Sequence, residues 1–131
     1  NGWVNLFVDT LGQNTNEEYI PQGCVSLWSL EAKKINLKTL KIGSIVDIRY
    51  DIELTTFNNN TEASMRTLLY DESLSPITFI GTLKYQYSYD LSISQKFYIL
   101  NNEIRSMGGI PQIRTDYDSI VSIKNIYISV S

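Results

Sequence analysis

The stretch SIVDIRYDIELTT, residues 44–56, decides the fold class. Val46, Ile48, Tyr50, Ile52 and Leu54 point one way, and Asp47, Arg49, Asp51, Glu53 and Thr55 the other. Side chains on a strand repeat every two residues. Strict alternation therefore marks a strand with one packed and one solvated face, the pattern of antiparallel sheets. Residues 58–60 are all asparagine, which tolerates a left-handed backbone, so a turn follows. Glu62 to Tyr70 then returns with Ala63, Met65, Thr67 and Leu69 on one side. The two runs read together as a long hairpin.

Working outward, Leu83 to Ile93 alternates as cleanly. Leu83, Tyr85, Tyr87, Tyr89, Leu91 and Ile93 oppose Lys84, Gln86, Ser88, Asp90 and Ser92. Pro76–Thr82, Lys96–Leu100, Ile110–Arg114 and Ser119–Val130 read as further strands. Asn101-Asn102, Gly108-Gly109 and Asp116-Tyr117-Asp118 separate them as turns or breaks. The last strand changes phase: Val121 and Ile123 lie on one face, Ile126, Ile128 and Val130 on the other. An extra residue near Lys124-Asn125 would do that, so a β-bulge is predicted there.

Toward the start, Trp3 to Asp9 carries apolar residues on both faces and reads as a strand buried on both sides. Thr10 to Gly23 is polar and long for a compact domain. Val25 to Leu30 is a short strand carrying Trp28. Leu30 to Leu40 fits either one short helix or a strand and turn. The whole reads as a single domain, residues 1–131. The expected fold is all-β, an antiparallel β-sandwich or jelly roll of 7–9 strands with at most one short helix.

Composition agrees. Ile, Thr, Tyr, Val, Phe and Trp suit a pleated, half-buried surface, and the chain holds 17 Ile and 9 Tyr but only the alanines Ala32 and Ala63. The net charge is −3 and charged residues are 19%. Neutralising phosphates takes a basic stripe, so nucleic acid is not an expected partner. No run approaches about 18 apolar residues, so membrane insertion is not expected either. No segment reads as a signal peptide. The chain opens Asn1-Gly2 without methionine, as expected of a processed product or the C-terminal part of a longer chain.

There is no histidine, and Cys24 is the one cysteine. No Ser-His or Cys-His nucleophile and no His or multi-Cys zinc site can be assembled, and no disulfide framework. No phosphate loop is present, and no cofactor or metal is expected. Cys24 reads as a buried, inert thiol. Asp47, Asp51 and Glu53 share a strand face, with neighbours about 6.5–7 Å apart. Two carboxylates at such a distance could cleave a glycosidic bond. With Arg49 among them, a solvated charged face is the plainer reading. Asp116 and Asp118 could offer oxygens to calcium, but nothing around them supplies the six or more such a site needs.

Tyr85, Tyr87 and Tyr89 fall on one face of one predicted strand. A buried tyrosine hydroxyl needs a partner, and three in line are hard to satisfy in a dry core. Core row, subunit interface and ligand face all remain open for them. Trp3 joins them as a candidate binding or interface residue, although it and Trp28 also suit a core.

The chain also resembles a known family. GSIVDIRYDIE (43–53), a polar turn, RTLLY (66–70), FYILNNEIR (97–105), PQIRTDYD (111–118) and the closing strand Val121–Val130 carry the likeness. Together they look like the knob (head) domains that end trimeric bacteriophage tail fibres and tail needles. The resemblance implies a jelly roll similar to tumour-necrosis-factor-like domains. It implies a homotrimer on a virion tail appendage, a viral protein acting without enzymatic activity in host attachment and shaft trimerisation. The implied partners are other copies of the chain and a receptor, either a host cell-surface glycan or an outer-membrane component. Contact residues in such knobs share no fixed motif, so none is carried over. The rival readings are a monomeric carbohydrate-binding module and a carboxylate-dependent glycan hydrolase.

Overall fold

The structure is a computed structural model that describes residues 2–6, 15–18, 27–29 and 31–131, without the side chains of residues 15–18, 86 and 87. Phe7 to Asp9, most of the polar stretch before Gly23, and Cys24 lie outside the described residues.

The described strands are β1 (Val4–Asn5), β2 (Thr15–Glu18), β3 (Trp28–Ser29), β4 (Lys34–Ile35), β5 (Ile45–Thr56), β6 (Thr61–Leu68), β7 (Ile77–Leu83), β8 (Gln86–Tyr98), β9 (Ile110–Thr115) and β10 (Ser119–Val130). A 3-10 turn spans Glu72–Leu74, and one short helix, α1, spans Asn102–Met107. Sheet 1 runs β1-β9-β6-β7 and sheet 2 runs β2-β10-β5-β8, while β3 and β4 pair separately. All pairings are antiparallel except β2 with β10, which is parallel. The two four-stranded sheets close over one core, so the chain is an all-β sandwich as expected.

The alternation of residues 46–55 is realised along β5. Val46, Ile48, Tyr50, Ile52 and Leu54 are buried, while the residues between them line the outer side. β5 is central in its sheet, between β10 and β8. The register with β10 shifts between Ile123 and Asn125, the site of the predicted bulge. Beyond it Ile126, Ile128 and Val130 point inward with Ile123.

Several expectations are corrected. β5 and β6 do not form a hairpin; they lie in opposite sheets. Each has an apolar face, and those faces meet across the core, where the Tyr50 hydroxyl reaches Thr67 Oγ1 at 2.7 Å. The chain then crosses between sheets at β7–β8, β8–β9 and β9–β10 as well, the winding of a jelly roll. Leu83–Ile93 is not one strand, because the crossing at Lys84-Tyr85 ends β7 and starts β8. β8 in turn absorbs the segment from Lys96 that read as separate.

The helix lies elsewhere than anticipated. Residues 31–33 are the turn between β3 and β4, the strand-and-turn alternative. The Asn101-Asn102 turn instead opens α1, with Asn101 as N-cap, its side chain accepting from Ile104 N. Gly108 closes that helix at φ 81°. Near the start, Val4 is exposed rather than buried, since β1 is an edge strand of two residues. Four residues of the expected polar loop, Thr15–Glu18, form β2.

Candidate functional site

The outer face of sheet 2 is a ladder of paired charges. Asp47 lies 3.8 Å from Lys96, Arg49 lies 3.2 Å from Asp51, and Lys124 bridges Glu53 at 3.0 Å and Asp90 at 3.3 Å. Those two carboxylates raise the Lys124 ammonium above its ordinary range. Ser92 donates to Asp51, and Arg49 stacks 4.1 Å over the Tyr127 ring. The candidate hydrolytic residues Asp47, Asp51 and Glu53 are thus each set against a cation on a half-exposed surface. The arrangement suits a solvated strand face.

The outer face of sheet 1 is different. Odd-numbered residues of β6 face the core, so Glu62, Ser64 and Arg66 face out. Register places Ser64 between Arg114 on β9 and Phe79 on β7, and Arg66 between Gln112 and Ile77. Asn5 on β1 continues the second row beside Gln112. Arg66 is only 7% exposed. It donates to Gln112 Oε1 at 2.7 Å and to Glu72 Oε1 at 2.8 Å, and Gln112 donates onward to Asn5.

Trp3 covers this row. Its ring lies against two guanidinium groups, Arg66 at 4.4 Å and Arg114 at 4.7 Å. Cations over an indole face are attracted by its quadrupole. Beside this stack the surface stays apolar: Phe79 is 61% and Ile77 58% exposed. An open depression of about 400 Å³ lies between Glu62, Ser64, Phe79, Arg114 and Asp116. Asp116 is fixed at its rim, Oδ1 accepting from Glu62 N at 2.8 Å while its own N–H donates to Glu62 O.

The structure separates the tyrosines. Tyr85 sits in the β7–β8 connection, exposed, its N–H donating to Asn59 Oδ1. Tyr89 lies on the core side of β8, half-buried against the core, its hydroxyl donating to Lys84 O at 2.8 Å. Tyr87 lies in β8, with its side chain outside the described residues. The row is broken because the chain crosses between sheets at Lys84-Tyr85, so Tyr85 precedes β8 while Tyr89 lies within it. Trp3 is on the opposite sheet from β8. Trp28 is in the core.

Asp116-Tyr117-Asp118 is the turn between β9 and β10. Among the described residues no three carboxylate or thiol groups converge as a metal site would require. Sequence reading missed Phe79, Arg114 and Glu62. The apolar phase of β6 implied that Glu62, Ser64 and Arg66 face out, but nothing local placed Phe79 and Arg114 beside them.

The fold and this surface define an all-β sandwich with one charge-paired face and one aromatic and arginine-bearing face. No protein-family model, curated protein or solved structure matches the chain.

Proposed function

We propose that this chain is the knob of a trimeric virion appendage, a tail fibre or tail needle, acting without enzymatic activity in host-cell attachment and in holding three chains together. Its resemblance over residues 40–131 to such knobs and its sandwich architecture support the reading. One observation carries it. The turns β5–β6, β7–β8 and β9–β10 lie at the same end of the sandwich, and each exposes an aromatic ring: Phe57, Tyr85 and Tyr117. Ile120, 62% exposed, adjoins them on β10 opposite Thr55. Large apolar side chains gathered on one surface mark an interaction site.

The first two turns hold each other in place. Tyr85 N bonds Asn59 Oδ1, and Thr56 Oγ1 donates to Lys84 O. An apolar rim on a fixed frame suits contact between copies. The solvated ladder of sheet 2 and the Trp3 face of sheet 1 then remain for solvent and receptor.

The test is the mass of the purified domain by analytical ultracentrifugation at micromolar concentration. A trimer is expected, and a strict monomer overturns the reading. A monomeric carbohydrate-binding module is the second reading, favoured by the surface placement of Trp3 and Phe79. The same measurement separates the two.

A further inference from the structure

We infer that the depression between Glu62, Ser64, Phe79, Arg114 and Asp116 binds a neutral pyranose of a surface glycan; the inference rests on the attachment reading and names its receptor chemistry. A pyranose has an apolar C–H face and a rim of hydroxyls that both donate and accept. Phe79 supplies a flat ring, 61% exposed, where stacking on the C–H face would remove apolar surface from water. Around it stand the complementary polar groups. Asp116 uses Oδ1 on the Glu62 N–H, which orients the carboxylate and leaves Oδ2 for a hydroxyl donor. Glu62 offers a second acceptor and Ser64 a hydroxyl, while Arg114 offers N–H donors.

Two features make the site more than a charged surface. Arg114 is held against the Trp3 ring at 4.7 Å, and Asp116 against the Glu62 backbone, so a ligand meets groups already in position. Preorganised groups lose little freedom on binding. The volume, about 400 Å³, falls within the range of small-molecule sites. Charge selects among sugars. Two carboxylates face one guanidinium, so sialylated or phosphorylated glycans meet net repulsion and a neutral sugar does not.

The experiment presents the purified domain to an array of neutral, sialylated and phosphorylated glycans, alongside its Phe79→Ala and Glu62→Gln variants. Neutral glycans should be retained and anionic ones not. Phe79→Ala should weaken retention about tenfold, the scale of one aromatic contact. The melting temperature should stay put, because the ring is exposed. Retention of anionic glycans alone, or indifference to both substitutions, overturns the inference. So does a fall in solution mass with Phe79→Ala, which would give this face to a second copy. Labelled domain on intact bacterial cells separates the two levels. Cells stained equally by wild type and Phe79→Ala remove the sugar site and leave attachment standing. Absence of staining together with a monomeric mass removes both.

Discussion

Tyr50 is fully buried, and its hydroxyl is the start of a chain of hydrogen bonds through the core. Thr67 Oγ1 donates its one proton to Gln95 Oε1 at 2.7 Å, so the Tyr50 hydroxyl donates to Thr67. Gln95 Nε2 donates on to Met65 O and to Thr78 Oγ1. Four strands from both sheets are tied by this relay. Burial raises the Tyr50 phenol far above its ordinary value of 10.0. The folded state therefore holds this proton more tightly than the unfolded chain. The stability it contributes is complete below about pH 10 and is lost as pH rises toward the folded value, at about 1.4 kcal/mol per unit. Tyr50→Phe should cost about 1–2 kcal/mol at pH 7, since Thr67 loses a donor. That deficit should shrink at pH 11 and reverse at higher pH. Urea melts of both proteins across pH 7–12 read the gap directly, and a constant gap would show that the phenol ionises as easily folded as unfolded.

Gly108 makes a second prediction at this scale. Its φ of 81° favours glycine, and a Cβ there would run into the carbonyl oxygen of Ile35. That carbonyl accepts from Gly109 N and so cannot withdraw cheaply. Gly108→Ala should destabilise by about 2–4 kcal/mol, strain and overpacking together. A thermal melt beside the Ser106→Ala control, an exposed helix position, checks it.

Among the elements, β10 shows what was legible in the sequence and what was not. Its phase change was visible because Val121 and Ile123 are odd and Ile126, Ile128 and Val130 even, and one extra residue reconciles them. Deleting Lys124 would remove that residue. Either the three inward side chains after it turn to solvent or the pairing with β5 slips, so the variant should fail to give a cooperative melt, whereas Lys124→Ala should melt normally. Circular dichroism on the two variants makes the comparison. The β5–β6 pairing was illegible for a related reason. Alternation reports which face of a strand is apolar, not which strand lies beside it. The turn at residues 58–60 fits a chain that crosses the core as well as one that folds back in-plane. Asn60 does take the left-handed backbone that asparagine tolerates, at φ 61°. The candidate site was illegible for the same cause. Phe79 and Arg114 become neighbours only through pairing with Ser64 from two sides. Tyr85 and Tyr89 shared a phase in sequence and were parted by a crossing between sheets.

For the whole molecule, the apolar surface left over after folding sets where other molecules can dock. The core takes the inward faces of both sheets, and the charge ladder occupies the middle of the outside of sheet 2. Exposed apolar side chains lie at the end opposite the turns, with Ile42, Tyr70, Tyr98 and Leu100, and in the two regions already given a partner, the turn end with Phe57, Tyr85 and Tyr117 and the Phe79 face of sheet 1. The two regions predict different losses. If copies meet at the turn end, Tyr85→Ser with Tyr117→Ser should weaken self-association about tenfold or more, the scale of losing two buried aromatic contacts. The folded domain should keep its melting temperature at concentrations where it is dissociated, because both side chains are exposed within one copy. The same double variant should leave glycan retention at Phe79 intact for single copies, since neither Tyr85 nor Tyr117 lines the depression. Sedimentation over a concentration series gives the association constant. A double variant that associates as tightly as wild type would move the contact between copies away from the turn end.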